Sequence, residues 1–289
     1  MTFVNQVFTA GHRIVVCIGE RIERLCIKQP NISRNDDIHI LLRGQSNALG
    51  VPERPLLSNA SGLPLGADWV ESPLVQQWDD DAKVWENITV PLSNGRVGSY
   101  HMLLNFGRII SEQTGRRVRI IRNAVGATRM DEWLQPQEDL GGVSRHDEEN
   151  RMIAESGATN VHVVSHHGEA HVGDDPQDFV DLWRQYEALV VAQDWFSGFF
   201  LHCDLIDTTG QPVNQTGAPG NQYRRSEEIR NRIVIGGANF DPATDGVPIG
   251  YLVPSNGVTG SDIIHADSRG LDLYGERIAQ ILTDLGAFN

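Results

Sequence analysis

The stretch Ile38–Gly50, IHILLRGQSNALG, decides how the rest of the chain is read. Ile38, Ile40, Leu41 and Leu42 form a short apolar run with β-branched members, which reads as a strand buried on both faces. Gly44 then permits a sharp turn, and Ser46 falls just past the carboxyl end of that strand, the edge where open α/β sheets bind ligands. A serine there is a nucleophile if a base reaches it. Far downstream, Asp262 and His265 in SDIIH offer an acid and a base three residues apart. The same tetrapeptide, Gly44-Gln45-Ser46-Asn47, also reads as an ordinary turn whose Ser or Asn caps the next helix. It is not the Gly-x-Ser-x-Gly elbow, because Ala48 holds the last position.

Strands and helices alternate on either side of this stretch. Leu74–Trp78 and Lys83–Ile88 flank an acidic turn, Asp79-Asp80-Asp81, and suggest a hairpin. His101–Gln113 carries Met102, Leu103, Phe106, Ile109 and Ile110 at helical spacing, closed by Gly115. Val118–Ile121, Val161–Val164, Phe199–Leu205, Ile233–Ile235 and Ile249–Val253 read as strands. Met130–Leu134, Arg145–Glu155, Phe179–Val191, Arg224–Arg232 and Leu271–Leu285 read as helices. The alternation predicts a three-layer α/β/α sandwich with a parallel sheet. Residues 1–37 are set apart as a β-structured extension, with a hairpin around Gly19 and a polar linker; the main domain spans 38–289.

Four blocks then fall in order. Gly44-Gln45-Ser46-Asn47, Asn123-Ala124-Val125-Gly126-Ala127-Thr128, His167-Gly168-Glu169 and Asp262-Ile263-Ile264-His265 together resemble the SGNH hydrolases. More narrowly, they resemble the sialate O-acetylesterase-like and acetyl-xylan-esterase-like branch. The resemblance runs from about Ile38 to about Leu285. It implies a flavodoxin-like sandwich and a serine carboxylic-ester hydrolase, free of cofactor and metal, acting on O-acetyl groups of a sugar or polysaccharide. Ser46 would attack, His265 would carry the proton, and Asp262 would orient the imidazole. Gly126 would donate its N–H to the oxyanion together with that of Ser46. His167 stands where the family has a glutamine whose amide is a further donor. An imidazole can donate one N–H, but its role then depends on tautomer and pH. Gln45, Asn47, Glu169 and Arg129 complete the expected oxyanion and substrate-binding set; Arg129 reads equally as a salt-bridged surface residue.

The departures from the family pattern open other readings. His162, His166, His167, Glu169 and His171 are dense in metal ligands, and on an extended segment His167, Glu169 and His171 share a face. A metal-dependent hydrolase is therefore one alternative, and a catalytically silent carbohydrate-binding or assembly module is another. Trp69, Trp78 and Trp85 read either as a sugar-stacking wall or as core cover.

The 289 residues, 40% of them hydrophobic, suffice for a large core. A formal net charge of −14 disfavours a nucleic-acid partner. No apolar run approaches the length of a membrane span. The leading MTFVNQVFTAGHRIVV lacks a basic segment followed by an apolar core and does not read as a secretory signal. The compartment stays open: cytoplasmic by default, extracellular if a signal has been removed or release is non-classical. Three cysteines, Cys17, Cys26 and Cys203, argue against a disulfide framework. The expected partner is an O-acetylated saccharide; a homo-oligomer or larger assembly through the extension remains open.

Overall fold

A computed structural model describes residues 7–9, 14–18, 21–23, 37–50, 72–88, 100–168, 170, 176–204, 234–235, 250–258 and 265–288. The chain divides into two compact units, Met1–Asp36 and Asp37–Asn289. In the first, β1 (Val7–Thr9), β2 (Ile14–Ile18) and β3 (Arg21–Glu23) form a three-stranded antiparallel sheet. The expected hairpin is β2–β3, with Cys17 opposite Ile22. The additional strand β1 pairs with β2.

The second unit is built on an eight-stranded sheet. Its strands are β4 (Ile38–Gly44), β5 (Val75–Asp79), β6 (Val84–Asn87), β7 (Val118–Ala124), β8 (Val161–His166), β9 (Phe196–Cys203), β10 (Val234–Ile235) and β11 (Gly250–Val253). Their spatial order is β10-β11-β9-β8-β4-β7-β5-β6. Every neighbouring pair is parallel except β5–β6, the hairpin at one edge. All seven residues of β4 are buried, as a central strand covered on both faces requires.

Side-chain alternation along β4 separates two layers. Ile38, Ile40 and Leu42 pack with α2 (Met102–Thr114) and α6 (Ser268–Asp284), through Leu103, Phe106, Ile110, Leu271, Tyr274 and Ile278. Leu41 packs on the opposite side with α3 (Met130–Leu134), α4 (Arg145–Ser156) and α5 (Pro176–Val191), through Trp133, Met152, Phe179 and Trp183. The three-layer α/β/α sandwich is therefore observed. Helix α2 ends where Gly115 adopts a left-handed cap, and α4 begins with a capping box between Ser144 and Asp147.

Trp78 is 6% exposed and Trp85 half-buried; they meet edge to face at 5.4 Å, packed with the α3–α5 layer. Their indole N–H groups donate to Asp80 and to the Ser156 carbonyl. These two tryptophans cover the core; Trp69 lies outside the described residues. In the acidic turn, Asp79 accepts the backbone N–H groups of Asp81 and Ala82, while Asp80 pairs with Lys83 and Arg151. No described helix is long and apolar enough to cross a membrane.

Candidate active site

The sheet register brings the ends of three strands level. Gly44 of β4 lies opposite Ala124 of β7 on one side and His166 of β8 on the other. The chain leaves β4 toward the β5–β7 side and later crosses back to β8, so this edge is a reversal point of the strand order. Three of the four blocks therefore emerge side by side.

Their junction is tight. A Cβ on Gly44, whose φ is +137°, would stand 1.9 Å from the His166 carbonyl oxygen. The Gly44 carbonyl accepts the Val125 N–H at 2.9 Å, and the Gln45 N–H donates to the His166 carbonyl at 3.2 Å. Ser46 is the first residue of a single helical turn, α1 (Ser46–Leu49). The cap position is Gln45, and it makes no side-chain cap bond, so the serine is not serving as a helix cap. Ser46 remains partly exposed between buried Gln45 and Asn47.

The segment beginning at His265 reaches the same place. The side-chain carbonyl of Asn47, itself 2% exposed, accepts the backbone N–H of Ala266 at 2.8 Å. His265, next in the chain, is partly exposed. Asp267 caps α6 by accepting the Gly270 N–H. The side-chain carbonyl of Asn47 joins the first block to the segment that carries His265. Asp262, Glu169 and His171 lie outside the described residues, as do residues 51–71 and 205–233.

In the second block, Gly126 is exposed, with no atom within 4 Å of where a Cβ would stand. Ala127 follows with φ +61°, a left-handed conformation uncommon for a residue with a side chain. The Thr128 hydroxyl donates to the Val125 carbonyl at 2.8 Å and accepts the Trp133 indole N–H at 3.1 Å. Arg129 pairs with Asp131 at 3.3 Å and reaches the Ala170 carbonyl at 3.4 Å, its side chain 40% exposed.

His166 and His167 diverge. His166 meets the edge of Tyr274 in the α2–α6 layer, with ring centroids 5.3 Å apart. His167, also fully buried, stands against Trp133 and Phe179 in the opposite layer. His162 bonds Ser197 at 2.8 Å between Phe199 and Phe288, and burial pushes its imidazole down to about 3. Among the described residues, no three His, Cys, Asp or Glu side chains are placed to hold a metal ion.

One element beneath the site is missing from the residues singled out in the sequence. The fully buried guanidinium of Arg43 lies 3.6 Å from the Tyr186 ring centre and 4.2 Å from that of Trp133. It pairs with the buried Glu149 carboxylate at 3.4 Å and donates to Ser165 at 3.3 Å. Glu149 also accepts the Tyr186 hydroxyl at 2.5 Å. Strand β4 is thus pinned to β8, α4 and α5 three residues before Ser46. An apolar strand interrupted by one arginine was the available clue.

The sequence matches no family model and no curated protein. Solved structures do share the architecture. A protein of Arabidopsis thaliana is 15% identical with a TM-score of 0.58, over 86% of this chain and 98% of that one. A carbohydrate acetylesterase from Xanthomonas citri is 16% identical with a TM-score of 0.52. That match takes in 88% of this chain and 57% of the Xanthomonas enzyme. At these identities the likeness is one of fold.

Proposed function

We propose that this protein is a serine carboxylic-ester hydrolase that removes O-acetyl groups from a sugar or polysaccharide. The observation that carries the reading is the Asn47–Ala266 hydrogen bond, which brings the His265 segment against the Ser46 turn across 219 residues of chain. The level exit of the other two blocks beside Gly44 supports it. The acetylesterase activity of the Xanthomonas protein, which shares the fold, is in keeping with it.

In this reading Ser46 Oγ attacks the acetyl carbonyl while its proton passes to His265, oriented by Asp262. The developing oxyanion is received by the N–H groups of Ser46 and Gly126, each well-placed donor worth on the order of 3 kcal/mol in the transition state. His167 would add a third donor, and Gln45 and Glu169 would shape the surroundings. The His265 proton then leaves with the sugar alkoxide as alcohol. Water, deprotonated by His265, attacks the acetyl-Ser46 ester, and acetate departs as the serine recovers its proton. The opposed directions of His166 and His167 keep those two imidazoles from sharing one metal ion.

The test is acetate release from p-nitrophenyl acetate and from an acetylated polysaccharide, with and without chelator. Chelator-insensitive release, abolished in Ser46→Ala and His265→Ala, is the expected result. Full activity in Ser46→Ala overturns the proposal. Chelator-sensitive activity restored by zinc selects the metal alternative. Saccharide binding without turnover selects the silent module.

A further inference from the structure

We propose that Thr128, itself held by Trp133, aims the oxyanion donor of the site. The inference rests on the esterase reading above. It begins from the peptide between Val125 and Gly126. The carbonyl of Val125 and the N–H of Gly126 belong to one rigid plane and point in opposite directions. Whatever fixes the first therefore fixes the second.

The Thr128 hydroxyl holds that carbonyl at 2.8 Å. A hydroxyl donates one hydrogen and accepts on its lone pairs. Its hydrogen is spent on Val125, and its oxygen accepts the Trp133 indole N–H at 3.1 Å. Trp133 is fully buried and clasped on its far side: the Arg43 guanidinium lies 4.2 Å from its ring centre, with Tyr186 edge-on at 6.5 Å. The turn is thus tied to the interior of the sandwich through a two-bond relay. Two further features call for such a tie. Gly126 is exposed and has no side chain to hold it. Ala127 sits at φ +61°, a conformation that persists only where the surroundings over-determine it. Trp133 also meets the His167 ring edge to face at 5.9 Å, so one indole touches His167 directly and reaches the Gly126 peptide through Thr128. Thr128 and Trp133 touch no substrate in this scheme; they are positioning residues.

The test compares Thr128→Val, Thr128→Ser and Trp133→Phe with the unaltered chain and Ser46→Ala, using p-nitrophenyl acetate and confirming each fold by circular dichroism. A misaimed donor loses transition-state stabilisation and leaves ground-state binding alone. Thr128→Val is therefore expected to lower kcat by roughly ten- to a hundredfold with KM changed less than about twofold. Thr128→Ser keeps the hydroxyl and recovers most of the loss. Affinity for phenylboronic acid, which forms a tetrahedral adduct on a serine, falls in step with kcat. A folded Thr128→Val chain with unaltered kcat, or one no different from Thr128→Ser, overturns the inference while Ser46-dependent hydrolysis stands. If Thr128→Val does not fold, Trp133→Phe removes the same relay from its other end, and unaltered kcat there overturns the inference equally. Absence of Ser46-dependent hydrolysis in the unaltered chain removes the esterase reading and this inference together.

Discussion

The Asn47 side-chain carbonyl accepts the Ala266 backbone N–H, one residue beyond His265 and one beyond Ser46 along their respective segments. Both partners are buried, so the bond is shielded from competing water. Asn47→Ala leaves a buried N–H without its acceptor and is expected to cost about 1–3 kcal/mol of stability. It also frees the His265 segment, so kcat on p-nitrophenyl acetate should fall more than KM rises. A chemical melt and steady-state kinetics on the same preparation check both; unchanged kcat would mean that His265 is held by other contacts.

Gly44→Ala meets two obstacles at once. Its φ of +137° is unfavourable for a side chain, and the new Cβ would collide with backbone rather than with a movable side chain. The expected loss is at least about 3 kcal/mol, a size reserved for mutations with a specific steric cause. Thermal unfolding of the purified variant, or its recovery only in insoluble form, reads the outcome.

Arg43 and Glu149 form a pair with neither side chain exposed. Removing one member strands the other charge in the interior, so Arg43→Met alone is expected to cost roughly 3–5 kcal/mol. Adding Glu149→Gln should return part of that loss, because the stranded charge disappears. A double-mutant cycle of denaturant midpoints measures the coupling. Equal stability of the single and double variants would show that the aromatic cage around the guanidinium, rather than the ion pair, dominates.

Glu187 gives a pH signature. Burial pushes its carboxyl up from 4.5 to about 8. Between those values the folded chain holds a proton that the unfolded chain has released, so folding stability declines as pH rises, by up to about 1.4 kcal/mol per unit. His162 acts in the opposite sense. Its imidazole is held at about 3 against 6.5 when unfolded, so stability is lost as pH falls below 6.5. His39 and His101, also lowered chiefly by burial, add to that loss. Stability is thus expected to peak near the histidine end of the window and decline toward pH 8. Glu187→Gln should abolish the alkaline decline; a decline that persists in the variant assigns it to another group.

Much of this architecture was legible because the relevant signals are local. The Gly115-closed helix was readable from its spacing and its closing glycine, and the β5–β6 hairpin from its acidic turn. Strand β9 starts at Phe196, earlier than its apolar run suggested. Ser197 and Gly198 interrupt that run, yet Ser197 is buried and satisfied by His162 across the sheet. The same limit explains the site. Gly44 and Ser46 announce a turn at a strand end, whereas the partners of Arg43 come from segments such as Met130 and Ser165, 87 and 122 residues away. The carbonyl of Asn47 found its use 219 residues downstream. Motifs nominate candidate groups; the residues that hold them in place are chosen by tertiary contacts.

Helix α6, which follows every other described element, packs its Leu271, Tyr274 and Ile278 onto the α2 side of the sheet, and the residues leading into it include His265. The segment that completes that hydrophobic layer is consequently the one that carries the proposed base. Under the proposed esterase reading, a polypeptide still lacking this segment carries the serine without the proposed proton acceptor, so hydrolytic competence would arrive only with the closing of the sandwich.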